Sequence, residues 1–453
     1  MELPEGGGMN GAVPEGLPPW LEFFTFPSAN VVYVLAGCII LGISAGLLGC
    51  FAFLRKRSLL GDALSHAALP GVCMAFMLTG TKEPLVVLSG AVVSCWMGAL
   101  AIEWIVKYTR CKEDSALGMV LSVFFGLGIL LLTHIQKSGN AAQSGLDKFL
   151  FGQAASLVEK DVYLLGGLGL VLCAVVLVGY KELKIVSFDP DFARGIGLPV
   201  RAVEIALATM IVLAVCIGLQ AVGVVLMAAM LVTPAAAARY WTDHLGRMLL
   251  LAVLFGAISG FIGAYVSYLS ARMPTGPWMV VGVTSIFIVS FLFAPRRGAM
   301  ARVVRHRRFR RKTATENILR TLYKFGEAAR DWHEPRSLGE LLQHRDMPMG
   351  FLQRTVRSLE HEGFVSEESG GRFILTRAGI EEAERLTRLH RLWELYLMKK
   401  LEIAPDHVHD DAEEIEHILT PELEQRLMDE LGDEDRDPHG QQIPAAAQEG
   451  TAR

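Results

Sequence analysis

The 453-residue sequence contains no Gly-Lys pair, and so no G-x-x-x-x-G-K-[ST] loop to cradle a nucleotide phosphate. Walker-type ATP hydrolysis by this chain is therefore excluded. There is no CxxC either. The seven cysteines are Cys38, Cys50, Cys73, Cys95, Cys111, Cys173 and Cys216, all in the first half of the chain. Their spacing suggests neither a disulfide framework nor a thiolate metal site. Small apolar fillers within helices is the simpler role. The opening MELPEGGGMNGAVPEGLPPW has no basic residue, so the positive start of a secretory signal is missing. Its glycines and prolines predict a flexible tail over 1–29. Charge is scarce up to about residue 294 and dense beyond it. The formal net charge of −4 is a cancellation between such blocks and identifies no partner.

What the first 294 residues do contain is apolar runs. Overall, 52% of residues are hydrophobic, too many for an average soluble protein. Roughly 20 apolar residues span a bilayer as a helix. Runs at 31–54, 63–79, 84–106, 116–135, 162–180, 203–219, 221–238, 247–270 and 276–294 approach that length. Only GLQAVG interrupts 203–238, so the count is nine spans, or eight if that stretch is one long bent helix. Basic residues gather in alternate short loops: RKR at 55–57, KYTRCK at 107–112, Lys181 with Lys184, and ARYWTDHLGR at 238–247. By the positive-inside rule these face the cytosol, as does the C-terminal half.

GDALSHAALPG at 61–71 places charge inside such a run. Asp62 and His66 are four residues apart and share a helix face. Ionisable groups in a span are rare and line functional pathways. Carboxylate with imidazole suits a divalent transition metal. Pro70 has no N–H for the His66 carbonyl, which predicts a bend there. The competing reading is an interfacial Asp62 N-cap and a satisfied core histidine.

RKRSLLGDALSHAALPGV, FDPDFARGIGLPV at 188–200 and LQAVGVVLMAAMLVTPAAAAR at 219–239 together resemble the permease subunits of manganese, zinc and iron ABC importers. The resemblance covers about 30–295. It implies that Asp62 and His66 form an intramembrane metal site. It also implies a separate ABC ATPase subunit docking on KELKIVSFDPDFARGIGLPV, and an extracytoplasmic metal-binding protein. The permease would act as a homodimer or paired with a second permease, in a bacterial plasma (inner) membrane.

From Arg296 to Lys312 there are nine Arg or Lys and no acid. Directly after the last span, this reads as a linker, 296–312, meeting anionic membrane lipid. Beyond it the pattern is soluble. TENILRTLYKFGEAA opens with a helix-start signal. SLGELLQH and MGFLQRTVRSLEHEGFV read as short amphipathic helices, and SEESGGRFILTRAG as a hairpin about Gly370-Gly371. Three helices then a hairpin is the order of a winged helix-turn-helix, placed at 313–380. A long amphipathic helix follows from 381, and fifteen acids against two arginines lie between Glu402 and Asp437. Glu413, Glu416 and His417 fall on one helix face, so two carboxylates and an imidazole converge. A solvated acidic face explains the same residues without metal.

RLHRLWELYL, VHDDAEEIEHILTPELEQRL and DPHGQQIP resemble the diphtheria-toxin-repressor family of iron- and manganese-dependent regulators. The resemblance implies a helical metal-binding and dimerisation domain over 381–440; the composition beyond it reads as a disordered tail over 441–453. It places metal ligands at His390, Glu413, Glu416 and His417. His409 and Glu394 fall on further ligand positions, and Asn317 stands where the family has Asp or Met. Glutamate rather than cysteine at 413 favours manganese, with iron or zinc as alternatives. DNA contact would use Arg354 and Arg357 on the reading helix and Arg372 and Arg377 on the wing.

The expected protein is an all-α polytopic membrane permease of a divalent-metal ABC importer. A cytosolic winged helix-turn-helix and metal-sensing domain follow. It is a transport subunit and not an enzyme. The rival reading is a membrane-tethered metal-dependent transcriptional regulator, which needs neither several spans nor an intramembrane Asp and His.

Overall fold

The structure is a computed structural model. It describes residues 18–444 except 56, 58, 82, 138–151, 153, 155–156, 271–272, 345–346, 402–420, 432–435 and 438. The chain divides into two compact units, Met1–Arg302 and Val303–Arg453.

In the first unit the apolar runs fold almost wholly as helices, because lipid satisfies no backbone polar group and the helix satisfies them internally. A short α1 (Pro19–Glu22) precedes α2 (Ala29–Leu54), α3 (Leu60–Thr79), α4 (Pro84–Tyr108) and α5 (Glu113–Lys137). Then come α6 (Glu159–Val178), the short α7 (Tyr180–Phe188) and α8 (Pro190–Gly195), and α9 (Val200–Ala221). The unit closes with α10 (Val224–Trp241), α11 (Leu245–Leu269) and α12 (Thr275–Phe293). Among the described residues, eight helices are long and apolar enough to cross a membrane: α2 to α6, α9, α11 and α12. Apolar α10 adds 18 residues. It is separate from α9 because Gly223, at φ +87°, takes a conformation side chains avoid. The GLQAVG stretch is thus a break between two helices and not a bend in one.

α2 packs along α11 and also meets α10, α6 and α9, while α3 lies against α4 and α5. Backbone contact makes these approaches possible. A methyl group at Gly42 would strike the Gly256 carbonyl, and one at Gly71 would strike the Gly90 carbonyl. Between membrane helices, where lipid is as apolar as leucine, such small-residue packing supplies the attraction. Five of the cysteines, Cys38, Cys50, Cys73, Cys95 and Cys216, are buried within the bundle. The tail expected over 1–29 is structured at its end. Phe23 is buried, with its ring 6.0, 5.1 and 5.4 Å from those of Phe261, Tyr265 and Tyr268 on α11. Composition alone predicts a loose segment there; burial of one aromatic ring overrides it.

The second unit opens in α13 (Ala299–Ala329), one helix spanning the basic run and the expected start at TENILRTLYKF. No break occurs at Thr313 or Thr315, because Arg, Lys and Ala are good helix formers and no Gly or Pro intervenes. Thr315 Oγ1 instead donates to the Arg311 carbonyl one turn back, at 2.9 Å. Next come β1 (Arg336–Ser337), α14 (Leu338–His344), α15 (Met349–His361), β2 (Val365–Glu368) and β3 (Arg372–Leu375). The sheet order is β1-β3-β2, antiparallel throughout, with Glu368 opposite Arg372 across a turn holding Gly370 and Gly371 at φ +90° and +72°. Ile318, Leu319, Leu322, Leu352, Val356, Leu359, Val365 and Phe373 form its core. That is the expected winged helix. α16 (Arg377–Leu401) and α17 (Pro421–Leu431) follow, packed through Leu392, Leu395 and Leu431.

Candidate metal sites

α3 is the most buried of the eight candidate spans. It is also poor in large apolar residues, holding Gly61, Asp62, Ser65, His66, Pro70 and Gly71. Such a helix belongs inside a bundle rather than against lipid. Ser65 turns its hydroxyl back on its own helix, donating to the Gly61 carbonyl at 2.7 Å. Pro70 does not end α3, which runs on to a left-handed cap at Gly80.

From Gly61 to Cys73 every residue is buried except Asp62 and His66. The two side chains share one face, with His66 Nε2 3.5 Å from Asp62 Oδ1. The imidazole is held edge-on by Phe125 of α5, ring centroids 4.7 Å apart. Its second nitrogen, Nδ1, is buried and accepts or donates no hydrogen bond among the described residues. An imidazole nitrogen left so is costly as a structural feature and suited to a ligand. The satisfied core histidine of the competing reading is therefore not what the geometry shows. A carboxylate and an imidazole on one face offer the oxygen and nitrogen donor types that suit divalent ions.

Charged pairs cluster near the start of α3. Arg57 Nε lies 2.6 Å from Glu113 Oε1, and Arg55 pairs with Glu204 on α9. An open cavity of about 500 Å³ there is lined by Arg57, Glu103, Lys107, Glu113, Arg201 and Glu204 among others, and does not include Asp62 or His66. Of the basic run, Arg296 and Arg297 are drawn to Asp243, which also meets Arg239 Nη1 at 3.1 Å. The residues from Arg302 to Lys312 are exposed.

In the second unit, His409, Glu413, Glu416 and His417 lie outside the described residues. The remaining expected ligands are on two helices: Asn317 on α13, His390 and Glu394 on α16. His390 and Glu394 are each 2% exposed, with His390 Nε2 3.0 Å from Glu394 Oε1. Asn317 Oδ1 is buried without a hydrogen-bond partner among the described residues. The sequence reading missed Arg320, one turn beyond Asn317. It is 1% exposed, and its Nη1 stands 2.7 Å from His390 Nδ1. The signal was its place among Ile318, Leu319, Leu322 and Tyr323 on a core-facing stretch. Also missed was Arg391, 2% exposed and bound in fork geometry to Glu327 at 3.1 and 2.7 Å. Arg391 also donates to the Gln442 carbonyl at 2.6 Å and to Gln441 Oε1 at 2.7 Å. Near it the Tyr323 hydroxyl is pushed up to about 12, by burial first and then by Glu384 and Glu327, against the pull of Arg391.

The expected DNA-facing residues Arg354, Arg357, Arg372 and Arg377 are all exposed. Arg377 Nε is engaged by Glu381 at 3.2 Å. Glu360, Glu362, Glu367 and Glu368 are exposed on the same elements.

A polytopic helical bundle with an acid–imidazole pair on its most buried span defines a membrane transport protein carrying an appended winged-helix unit. The chain belongs to the ABC 3 transport family, whose model matches residues 28–294. Residues 376–445 match the iron dependent repressor metal binding and dimerisation domain. The chain is 43% identical over 389 residues to the manganese transport system membrane protein MntC of Bacillus subtilis, covering 85% of this chain and 87% of that one. Over 283 residues it is 46% identical to the zinc transport system membrane protein TroC of Treponema pallidum, covering 62% and 95%. Among solved structures, PsaBC from Streptococcus pneumoniae in complex with Fab matches at a TM-score of 0.55 and 33% identity, covering 61% of this chain and 97% of that one.

Proposed function

We propose that the chain imports a divalent metal ion, manganese in the first place, with Asp62 and His66 as its binding pair within the membrane. The unpartnered, buried Nδ1 of His66 carries this reading, with Asp62 and His66 alone half-buried on an otherwise buried stretch. An oxygen and nitrogen donor set favours manganese, iron or zinc over a soft ion. The manganese and zinc transport relatives support the same range. The ion is cargo: an extracytoplasmic protein delivers it, the Asp62–His66 pair holds it briefly, and ATP hydrolysis by a separate ATPase subunit drives its release inward. The permease pairs with a second permease or a second copy of itself, in a bacterial inner membrane with the C-terminal unit in the cytosol.

The ATPase seat on this reading is α7–α8. A small core of Val186 and Ala193 with Val200 of α9 holds it together. Asp189 caps α8 by accepting from the Phe192 amide at 2.9 Å. Phe188, Phe192 and Ile196 are left exposed, a small apolar face on a charged loop. The exposed basic stretch of α13 meets anionic headgroups. Exposed Arg354 and Arg357 on α15 favour DNA contact as a second role for the C-terminal unit. The deciding experiment is uptake of manganese, zinc and iron by cells making this chain with its ATPase. Asp62→Asn and His66→Ala should each abolish uptake while the chain still inserts; normal uptake of all three by both variants rejects the site.

A further inference from the structure

His390 and Glu394 are the described residues that the regulator resemblance assigns to metal, together with Asn317. Their surroundings do not fit a metal ion. A guanidinium carries only donors. With Arg320 Nη1 at 2.7 Å, His390 Nδ1 must be the acceptor, and its lone pair is spent on the arginine. The ring proton then sits on Nε2, facing the Glu394 carboxylate at 3.0 Å. Both ring nitrogens are engaged, and a metal needs one of those lone pairs. Nor is Arg320 able to leave cheaply. It is 1% exposed, and a buried charge removed from its partners is strongly destabilising. A divalent ion placed beside it meets a fixed positive charge in a medium that screens poorly. Asn317, one turn before Arg320 on the same face of α13, offers a neutral amide in place of a carboxylate and so adds no charge to offset a second cation.

We propose that Arg320 is the resident cation of this unit: its guanidinium takes the place of a divalent ion at the His390–Glu394 pair, which is not a metal site in this chain. The arginine ties α13 to α16 permanently, a link that an ion would make only when abundant. The packing of those two helices is then indifferent to cytosolic metal at this position, and the appended unit is a fixed cytosolic platform on that account.

The test is Mn²⁺ binding to the full chain in nanodiscs, with Asp62→Asn and His66→Ala removing the intramembrane site. The signal of unbound aquo-Mn²⁺ in electron paramagnetic resonance reports binding. With Arg320 intact, adding His390→Ala should leave the Mn²⁺ isotherm unchanged. A saturable site that disappears on His390→Ala overturns the proposal. Arg320→Glu should create a site whose spectrum shows coupling to an imidazole nitrogen, and His390→Ala should remove it. Should Arg320→Glu fail to fold by its melting curve, Arg320→Gln keeps the length without the charge. It is expected to bind Mn²⁺ at least about tenfold tighter than the parent, given the repulsion it removes. No gain in a folded Arg320→Gln chain also overturns it. Because nothing here reads uptake, the result stands apart from that of the transport experiment.

Discussion

His66 Nε2 lies 3.5 Å from Asp62 Oδ1 across one turn of α3, and the other imidazole nitrogen faces a buried spot without a partner. That asymmetry gives a graded expectation. Asp62→Glu keeps the charge but moves it by a methylene, so uptake should fall about 10- to 100-fold, as loss of ligand geometry does. Asp62→Asn should fall further. Initial rates of manganese uptake at several concentrations check the order; equal loss in both variants argues that ligand geometry, and not charge, is what matters.

The close passage of α3 over α4 predicts a steric series at Gly71. Its Cβ position is filled by the Gly90 carbonyl and the Ser94 side chain. Gly71→Ala should lower the melting temperature, and Gly71→Leu should prevent a stable bundle, since overpacking costs about 1–3 kcal/mol or more. Fluorescence-detected size exclusion after heating measures both. A Gly71→Leu chain as stable as the parent would mean the helices stand farther apart.

At the proposed ATPase seat, Phe192 is 57% exposed on α8. Phe192→Ala and Ile196→Ala together should uncouple transport, leaving the ATPase subunit unable to copurify with the permease. Truncating apolar anchors at the centre of an interface typically costs about 2 kcal/mol or more each. Undiminished copurification would place the contact elsewhere.

Arg391 links Glu327 of α13 to Gln441 and Gln442. Arg391→Ala should cost about 3 kcal/mol, because the buried Asp437 carboxylate, 3.6 Å from Arg391 Nε, is left without its cation. The 436–444 segment should become sensitive to protease while residues 338–375 stay protected. Equal protection of 436–444 in both proteins would show that the segment is held by other contacts.

For the winged-helix unit, DNA contact predicts a specific salt signature. Replacing Arg354 and Arg357 by alanine should reduce the slope of log affinity against log salt by about 2, near one per lost phosphate contact. An unchanged slope removes these arginines from any nucleic-acid surface.

Much of this architecture was legible beforehand. The apolar runs at 31–54 and 247–270 mark α2 and α11, since twenty apolar residues have few other fates. The Gly370-Gly371 pair marks the wing, because positive φ selects glycine there. The i, i+4 spacing marked Asp62 and His66 as one face, and three separated motifs gave the family. The continuous helix through Thr313 was not legible: a start signal read from Thr and Glu lost to a run of good helix formers on both sides. Phe23 was hidden by the composition of its neighbours.

The sequence by itself determined periodic things: which segments are apolar, which residues share a helix face, where glycine must turn the chain. Those follow from local geometry, with a reach of one or two turns. Tertiary structure decided which of the shared-face imidazoles keeps a nitrogen without a partner and which meets another side chain. Asp62 and His66 look like His390 and Glu394 in the sequence, a carboxylate and an imidazole four apart. In space, one imidazole keeps a nitrogen without a partner, and the other spends both, on Glu394 and on Arg320, seventy positions earlier in the chain. No local pattern encodes that contact; it arises because α13 and α16 are brought together by the core they share.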